Sequence, residues 1–178
     1  MKHKSLLWVS IFILSGRVLT QNRIKKEDCS CQVVLFEKQI EVPILDNKGK
    51  LIDYVVDDTL KEDYYTVIIS KINHGMAYVD VRAPLYDTIP KIGWIEIKYL
   101  GIRPASHQPI NLYRKSAKRY QIRSQILKPE WGYWSADIKI LDCTGEWLYV
   151  SFLDGDNKMK EDWLSPEDQC SNPYSTCN

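Results

Sequence analysis

The sequence has 178 residues, of which 44% are hydrophobic and 26% are charged, a balance typical of an ordinary globular protein. The formal net charge of +1 becomes −2 without residues 1–20, because Lys2, Lys4 and Arg17 are lost and no acid is. A nearly neutral chain gives no sign of a polyanion-binding surface, so we expect no nucleic-acid partner.

The N-terminus has the three regions of a secretory signal peptide. Lys2 and Lys4 come first, an apolar run extends from Leu6 to Leu14, and small and polar residues follow up to Thr20. The apolar run is well short of the roughly 20 residues that a membrane-spanning helix requires, although a membrane anchor is the alternative. We predict that residues 1–20 are a signal peptide and that the protein is exported, periplasmic or extracellular, with no transmembrane segment after cleavage.

Three blocks of sequence recur in the same order in the two halves of the chain. Each block is rich in β-branched and aromatic residues, several with apolar residues at alternate positions, which predicts strands. Turn signals at Asn73-His74-Gly75 and Cys143-Thr144-Gly145 predict one hairpin in each half. The pairs of blocks are 42–46 with 110–114, 67–79 with 138–150, and 93–100 with 162–169.

The segments that follow the first block of each half show no clear periodicity, and we predict long loops there. The second of these loops is basic and contains no acid among its charged residues. We interpret it as a solvated loop, the alternative being an attraction for an anionic glycan or an acidic partner. Its cations are Arg114, Lys115, Lys118, Arg119, Arg123 and Lys128.

Each half resembles a bacterial SH3-like domain. The resemblance lies in the order of its parts: a first strand, a long loop, a tight hairpin and a closing strand with tryptophan. Trp94 in "GWIEIKYL" and Trp163 in "DWLSPEDQ" mark the closing strands, and we interpret both as core residues that close a barrel. The resemblance implies an all-β fold of two tandem SH3-like small β-barrels packed against each other.

The resemblance also implies a division of the chain. Residues 21–40 are an N-terminal segment, residues 41–103 the first SH3-like domain, and residues 110–178 the second, with a disulfide-bearing tail. Residues 104–109 are the linker, within a stretch from Gly101 to Pro109 that lacks periodicity, and because it is short we expect the barrels to pack closely. The sequence "CQVVLFEKQIEV", residues 31–42, is a candidate to lengthen the first strand.

Aromatic residues of the second half give the clearest binding signal. The cluster "EWGYW" contributes Trp131, Tyr133 and Trp134, which are hard to bury together in a small barrel and have the mixed apolar and polar character of peptide and sugar sites. Two further candidates, Tyr113 and Trp147, match groove positions of peptide-binding SH3 domains. The alternative is that some of these rings cap the barrel or fill the contact between the halves.

Neither half completes the groove that binds proline-rich peptides in eukaryotic SH3 domains. In the second half Asp168 stands where the resemblance expects a tyrosine, and in the first half Met76 and Leu45 stand at two aromatic positions. Because that binding mode depends on an aromatic-lined groove, we predict no useful affinity for PxxP peptides.

The cysteine pattern fits an exported protein, because disulfides persist in oxidising compartments. Cys170 and Cys177 flank a loop with an Asn-Pro turn signal, so we favour a disulfide between them. Cys143 bound to either is the alternative, because sequence does not fix connectivity. The Cys29-Ser30-Cys31 sequence lacks the ligand spacing of a zinc site, and we expect no metal and no cofactor.

We expect no catalytic residue, because the two halves leave no room for a catalytic domain of ordinary size. The predicted function is therefore an exported, non-catalytic binding or interaction module that recognises a cell-envelope peptide, peptidoglycan or a protein partner. The alternatives are a structural component of an envelope complex and, least favoured, a small cell-wall-directed hydrolase.

Overall fold

The structure, a computed structural model, describes residues 28–36, 41–55, 65–83, 89–105, 109–116, 119–126, 138–153 and 158–172. The predicted signal peptide, the aromatic cluster Trp131, Tyr133 and Trp134, and Cys177 lie outside these ranges. Within them, no helix has the length and apolar character needed to cross a membrane.

The described residues form one large antiparallel sheet of thirteen strands, and they contain two 3₁₀ helices, Ile97–Tyr99 and Pro166–Asp168, but no α-helix. The all-β fold class is confirmed. The sheet is not closed, so the two tandem SH3-like barrels stay a prediction. The strands are β1 Cys31–Leu35, β2 Val42–Leu45, β3 Leu51–Val55, β4 Thr66–Asn73, β5 Met76–Arg82, β6 Lys91–Glu96, β7 Leu100–Pro104, β8 Ile110–Ser116, β9 Arg119–Ile126, β10 Ile138–Thr144, β11 Trp147–Leu153, β12 Met159–Leu164 and β13 Gln169–Cys170.

Counted outward from the centre of the sheet, the strands are arranged in the same way on both sides. The full order is β3-β2-β6-β5-β4-β1-β7-β10-β11-β12-β8-β9, and β13 pairs with β7 outside this path. Outward from the central pair β1 and β7, each side has a hairpin, then a third strand, and then a two-stranded ribbon that comes earlier in the chain. We call the β2–β6 side the first half and the β8–β12 side the second half.

Both predicted hairpins are confirmed. β4 and β5 join through His74 and Gly75, whose φ angles of 49° and 76° are those of a type I′ turn. β10 and β11 join through Gly145, with φ of 54°, and Glu146, a pattern that fits type II′. The register shifts between Ile69 and Lys71 in one hairpin and at the corresponding positions of β10 in the other.

The prediction of long loops after the first blocks is wrong where β3 and β9 form. β9 pairs with β8 along its whole length, from Ile126 opposite Ile110 to Arg119 opposite Ser116. A register shift in this ribbon leaves Arg123 with no residue directly opposite it on β8. Such a bulge interrupts the alternation of apolar and polar residues by which a strand is recognised in a sequence.

Two further expectations about the centre of the sheet need correction. Residues 31–35 do not lengthen β2 but form the separate strand β1, which pairs with β4 and β7. The aperiodic stretch Gly101–Pro109 is not all linker, since its first four residues belong to β7. Its apparent irregularity arises because β7 has neighbours on several sides, β1, β10 and β13, so nearly every side chain is buried.

The buried core is a single cluster that extends through both halves and the central strands. Large, almost fully buried side chains come from each part: Ile44, Ile69 and Ile95 from the first half, Leu35, Leu100 and Ile102 from β1 and β7, and Leu112, Ile140, Leu148 and Leu164 from the second half. Apolar residues at alternate strand positions therefore point to a common interior.

A disulfide joins Cys29, just before β1, to Cys143 near the end of β10. The alternative in which Cys143 pairs with Cys170 or Cys177 is therefore wrong. Cys170 is also disulfide-bonded, but Cys177 lies outside the described residues, so the bond between these two stays a prediction. Cys31 is free and buried.

Candidate ligand-binding face

Five aromatic side chains lie together on the side of the second half that faces away from the core. They alternate along their strands with the buried Leu112, Leu148 and Leu164, and each ring is partly exposed. We call this cluster the aromatic face. It consists of Tyr113 on β8, Tyr120 on β9, Trp147 and Tyr149 on β11, and Trp163 on β12.

Strand register explains why these residues meet. Trp163 is the direct cross-strand partner of Tyr149 on one side and of Tyr113 on the other, which makes a row of three rings across β11, β12 and β8. Directly paired residues of antiparallel strands have Cβ atoms about 5 Å apart and share a face of the sheet. Tyr120 joins the row from β9, where it pairs with Lys115.

The rings are held against one another in specific geometries. Tyr120 and Trp147 stack in parallel, with centroids 3.6 Å apart and planes 5° from each other. Tyr113 presents its edge to Trp147 at 5.1 Å, and Tyr149 packs against Trp163 at 5.2 Å. Each aromatic pair contributes about 0.5–1.5 kcal/mol beyond area burial, so the surface is organised before any ligand arrives.

One cation lies over this cluster. The Nζ atom of Lys115 is 4.9 Å from the ring centroid of Trp163 and 5.4 Å from that of Tyr120, within the range of cation–π attraction. Among the residues that the structure describes, no carboxylate pairs with Lys115. The face therefore combines apolar rings with a positive charge that no described carboxylate neutralises.

A carboxylate on this side of the sheet is already engaged. The hydroxyl of Tyr149 donates a hydrogen bond to Oε2 of Glu161 at 3.1 Å. Partial burial and this carboxylate raise the pKa of Tyr149, so the phenol remains a neutral donor at physiological pH. Glu161 is thereby oriented toward the rings.

Aliphatic side chains extend the aromatic face at both of its sides. Ile122 is 59% exposed and pairs directly with Tyr113. Leu153 and Met159, 58% and 59% exposed, pair with each other on β11 and β12, on the face that Trp163 occupies. Large exposed apolar residues contiguous with aromatic rings are characteristic of interaction surfaces.

The corresponding face of the first half is smaller and its polar groups are satisfied internally. Tyr78 and Trp94 pack at 5.3 Å, and the Trp94 indole N–H donates to Oδ1 of Asn47 at 2.9 Å. Arg82 forms an ion pair with Asp80 on the same face. This half has a single aromatic contact among the described residues.

The interpretation of Trp94 and Trp163 as core residues is wrong. Neither belongs to the buried cluster. Each tryptophan directly precedes a core residue on its strand, Ile95 or Leu164, so its side chain points to the other side of the sheet. In these short strands the interior is filled by aliphatic residues, and the larger indoles remain at the surface.

Of the five sequence-based candidates, the structure brings Tyr113 and Trp147 into contact. Trp131, Tyr133 and Trp134 lie outside the described residues. Sequence reasoning missed Tyr120, Tyr149 and Trp163. Alternation with the buried residues of β11 would have identified Tyr149, whereas Tyr120 fell in a predicted loop and Trp163 was assigned to the core.

The segment before β1 fixes the turn that leads into Trp147. Ser30 N–H donates to the carbonyl of Gly145 at 2.7 Å, and Gly145 N–H donates to the carbonyl of Asp28 at 3.0 Å. The thiol of Cys31 lies 3.3 Å from the same Gly145 carbonyl. Together with the Cys29–Cys143 disulfide, these contacts form a clamp on the second-half hairpin, and we use that name for residues 28–31.

The clamp does not supply a reactive thiolate. Burial raises the pKa of Cys31 to about 11, and a protonated, buried thiol is a poor nucleophile. Among the described residues, no cluster of three or more potential metal ligands occurs. Asp168 is buried and accepts a hydrogen bond from Ser165 Oγ at 2.7 Å, so its carboxylate is directed inward.

Comparisons with known proteins give no match to a family model, a curated protein or a solved structure.

Proposed function

We propose that the chain is an exported, non-catalytic binding module that recognises a cell-envelope peptide, peptidoglycan or a protein partner through the aromatic face. The observation that carries this proposal is the cluster of five mutually packed, partly exposed rings on the side away from the core. Tryptophan and tyrosine in such preorganised surfaces supply most of the energy at many binding sites. The Cys29–Cys143 disulfide supports the proposed export, because such bonds persist in oxidising compartments.

We further propose that the two halves are SH3-like units that share β7. Two pairings support this. Val34 opposite Gly101 and Leu35 opposite Leu100 join β1 to β7, and the pairs Arg103 with Cys170 and Pro104 with Gln169 join β7 to β13. The second set lies a constant 69 residues after the first. In this interpretation β7 is the last strand of one unit and the first strand of the next.

The binding role is tested by retention of the full exported chain on isolated cell envelopes. Replacing Trp147 or Trp163 with alanine should reduce retention by about tenfold or more, because a binding hot spot contributes about 2 kcal/mol. Trp94→Ala is the matched control, since Trp94 has the equivalent strand position in the first half, and its retention should remain that of the wild type. Equal retention of all variants would contradict the proposal.

A structural role in an envelope complex is the second candidate, and the exposed Ile122, Leu153 and Met159 favour it. A permanent assembly would bury this apolar surface. Cross-linking in intact cells distinguishes the two roles: a structural component gives one stable complex, and a binding module gives an occupancy that follows the amount of ligand.

A further inference from the structure

We propose that the aromatic face takes an acidic segment of a partner polypeptide, with apolar side chains against the rings and a carboxylate against Lys115. This inference rests on the binding role proposed above and names its ligand.

The first argument is charge. Arg114, Lys115 and Arg119 lie together at the end of the β8–β9 ribbon, where Arg119 pairs with Ser116 and Lys115 with Tyr120. All three are exposed, and among the described residues none of them has an acidic partner. Lys115 projects onto the aromatic face, while Arg114 and Arg119, at adjacent strand positions, lie on the other side of the ribbon and add positive charge at its end. An acidic segment would be attracted to this end of the ribbon.

The second argument is that no carboxylate of the described residues binds Lys115. Glu161 accepts a hydrogen bond from the Tyr149 hydroxyl, and it forms no salt bridge with Lys115. Asp162, the next residue of β12, is buried and paired with Arg123 at 3.3 Å. Within the part of the chain that the structure describes, Lys115 therefore remains available to an external anion.

The third argument distinguishes a polypeptide from a glycan. Ile122 pairs directly with Tyr113, and the exposed Leu153 and Met159 lie on the same side of the sheet, four residues along β11 and β12 from Tyr149 and Trp163. This aliphatic surface fits apolar side chains better than it fits sugar hydroxyls. The Tyr149 hydroxyl, a potential donor to a sugar, is already bonded to Glu161. Aromatic residues and methionine are enriched at protein interfaces, and the composition of this face follows that pattern.

The first half provides an internal contrast for the inference. Its equivalent face has the Asp80–Arg82 ion pair, and its cation over an aromatic ring, Lys98 above Tyr99 at 4.7 Å, is also paired with Glu96 at 2.8 Å. Arg82 and Lys98 are thus both paired with acids of their own half. An acidic ligand should therefore discriminate between the halves.

The test uses a phage-displayed library of random peptides, selected on the purified full chain without its signal peptide. We expect the selected peptides to be enriched in aspartate and glutamate next to aromatic or aliphatic residues. One selected peptide is then synthesised with a fluorescent label, together with a version in which asparagine and glutamine replace its acids. Binding of both is measured by fluorescence anisotropy.

The acidic peptide should bind about fivefold or more tightly than its amide version, because exposed ion pairs contribute up to about 1 kcal/mol each. Lys115→Glu should weaken its binding by a similar factor, and Lys98→Glu, the matched first-half variant, should leave it unchanged. Both substituted lysines are at exposed positions, so both variants keep the fold. Trp163→Ala should also weaken binding, provided that its circular dichroism spectrum matches the wild type.

Selected peptides without acid enrichment, an acidic peptide insensitive to Lys115→Glu, or no selected peptide would each overturn the inference. Retention on protein-free cell walls that depends on Trp147 and Trp163 would support the binding role and overturn only the polypeptide ligand. Failure of both the library selection and the retention on envelopes would remove the inference and the proposed function together.

Discussion

The two halves of the sheet have the same strand order but different surfaces. In the second half, Tyr113 and Trp147 occupy the positions at which the first half has Leu45 and Met76. The first-half surface bonds the indole of Trp94 to Asn47, whereas the second-half surface packs five rings under Lys115, for which the described residues supply no acidic partner. The comparison shows that the backbone arrangement does not determine a binding surface, because the outward residues of each strand can change without altering the core.

The halves also differ in how their hairpins are held. The first-half turn is fixed from within its own half, since Ile97 N–H donates to the carbonyl of Gly75 at 2.9 Å. The second-half turn is fixed by the clamp, which comes from a distant part of the sequence. The turn that leads into Trp147 is thus bonded to residues 28–31, whereas β1 pairs with the first-half hairpin along β4 and not at its turn.

The largest expected effect follows from breaking this clamp. Replacing Cys29 and Cys143 together with serine opens a covalent loop with a sequence separation of 114 residues. The entropy of the unfolded chain then increases, which should lower the free energy of unfolding by about 4–5 kcal/mol in the chain-entropy model. The measurement is a urea titration followed by intrinsic fluorescence.

The same titration of the wild type with a reducing agent is the control, and it should give at least the same loss, because the reductant also opens the disulfide of Cys170. If the double variant is as stable as the oxidised wild type, the clamp does not hold the hairpin. A fluorescence change in the folded state that is confined to the variant would indicate that Trp147 has moved.

A smaller effect concerns Cys31, whose thiol contacts the second-half turn. Its pKa is about 11 in the folded protein, against 9.0 for an ordinary thiol. Between these values the folded state retains the proton more strongly than the unfolded state. The stabilisation is therefore complete below pH 9 and is lost as the pH rises to 11, by about 2–3 kcal/mol.

The check is the free energy of unfolding against pH for the wild type and for Cys31→Ala. Subtracting the two curves removes the titration of Tyr149, whose pKa is also raised, and leaves the contribution of Cys31. A difference that stays constant between pH 8 and pH 11 would contradict a buried thiol at this position.

The sequence predicted the parts of the fold that depend on local chemistry. The turn at His74-Gly75, the return strands β5 and β11, and the all-β class follow from residue type and alternation. The central strands could not be placed in this way. β7 is apolar and contains Pro104, so it resembled a linker, and its role as a strand depends on partners distant in the sequence.

The candidate site was predicted only where a resemblance or an exposed cluster suggested it. Tyr113 and Trp147 were found because they match positions of a known groove. Trp163 was misassigned because sequence alone does not say which side of a strand faces the core, and a large indole was assumed to be needed there. The positions of Ile95 and Leu164, which fill the core, decide that question.

A third prediction compares one strand position in the two halves. Gly93, just before Trp94, has no room for a side chain: an added Cβ would lie 2.5 Å from Cγ2 of Ile44 and 2.7 Å from the backbone oxygen of Leu45. Gly93→Ala should therefore lower the free energy of unfolding by about 1–3 kcal/mol, measured by urea titration.

The matched variant is Asp162→Ala, at the position just before Trp163. The second half accommodates a side chain there, and Arg123, the partner of this carboxylate, is 52% exposed. Loss of the pair leaves the guanidinium in water, so the expected cost is below about 1 kcal/mol. A larger cost for Asp162→Ala than for Gly93→Ala would show that the close approach of β2 is not specific to the first half.

The smallest expected effect separates the two lysines that lie over aromatic rings. Lys115→Met and Lys98→Met each remove a weak cation–π contact at an exposed site. Lys98 also loses its pairing with Glu96 at 2.8 Å, an interaction between exposed charges that salt screens. The loss of stability caused by Lys98→Met should therefore decrease in high salt. The loss caused by Lys115→Met should depend less on salt, because Lys115 has no carboxylate partner among the described residues. Equal salt dependence in thermal denaturation would mean that Lys115 is neutralised in the folded chain, and the charge contrast between the two halves would disappear.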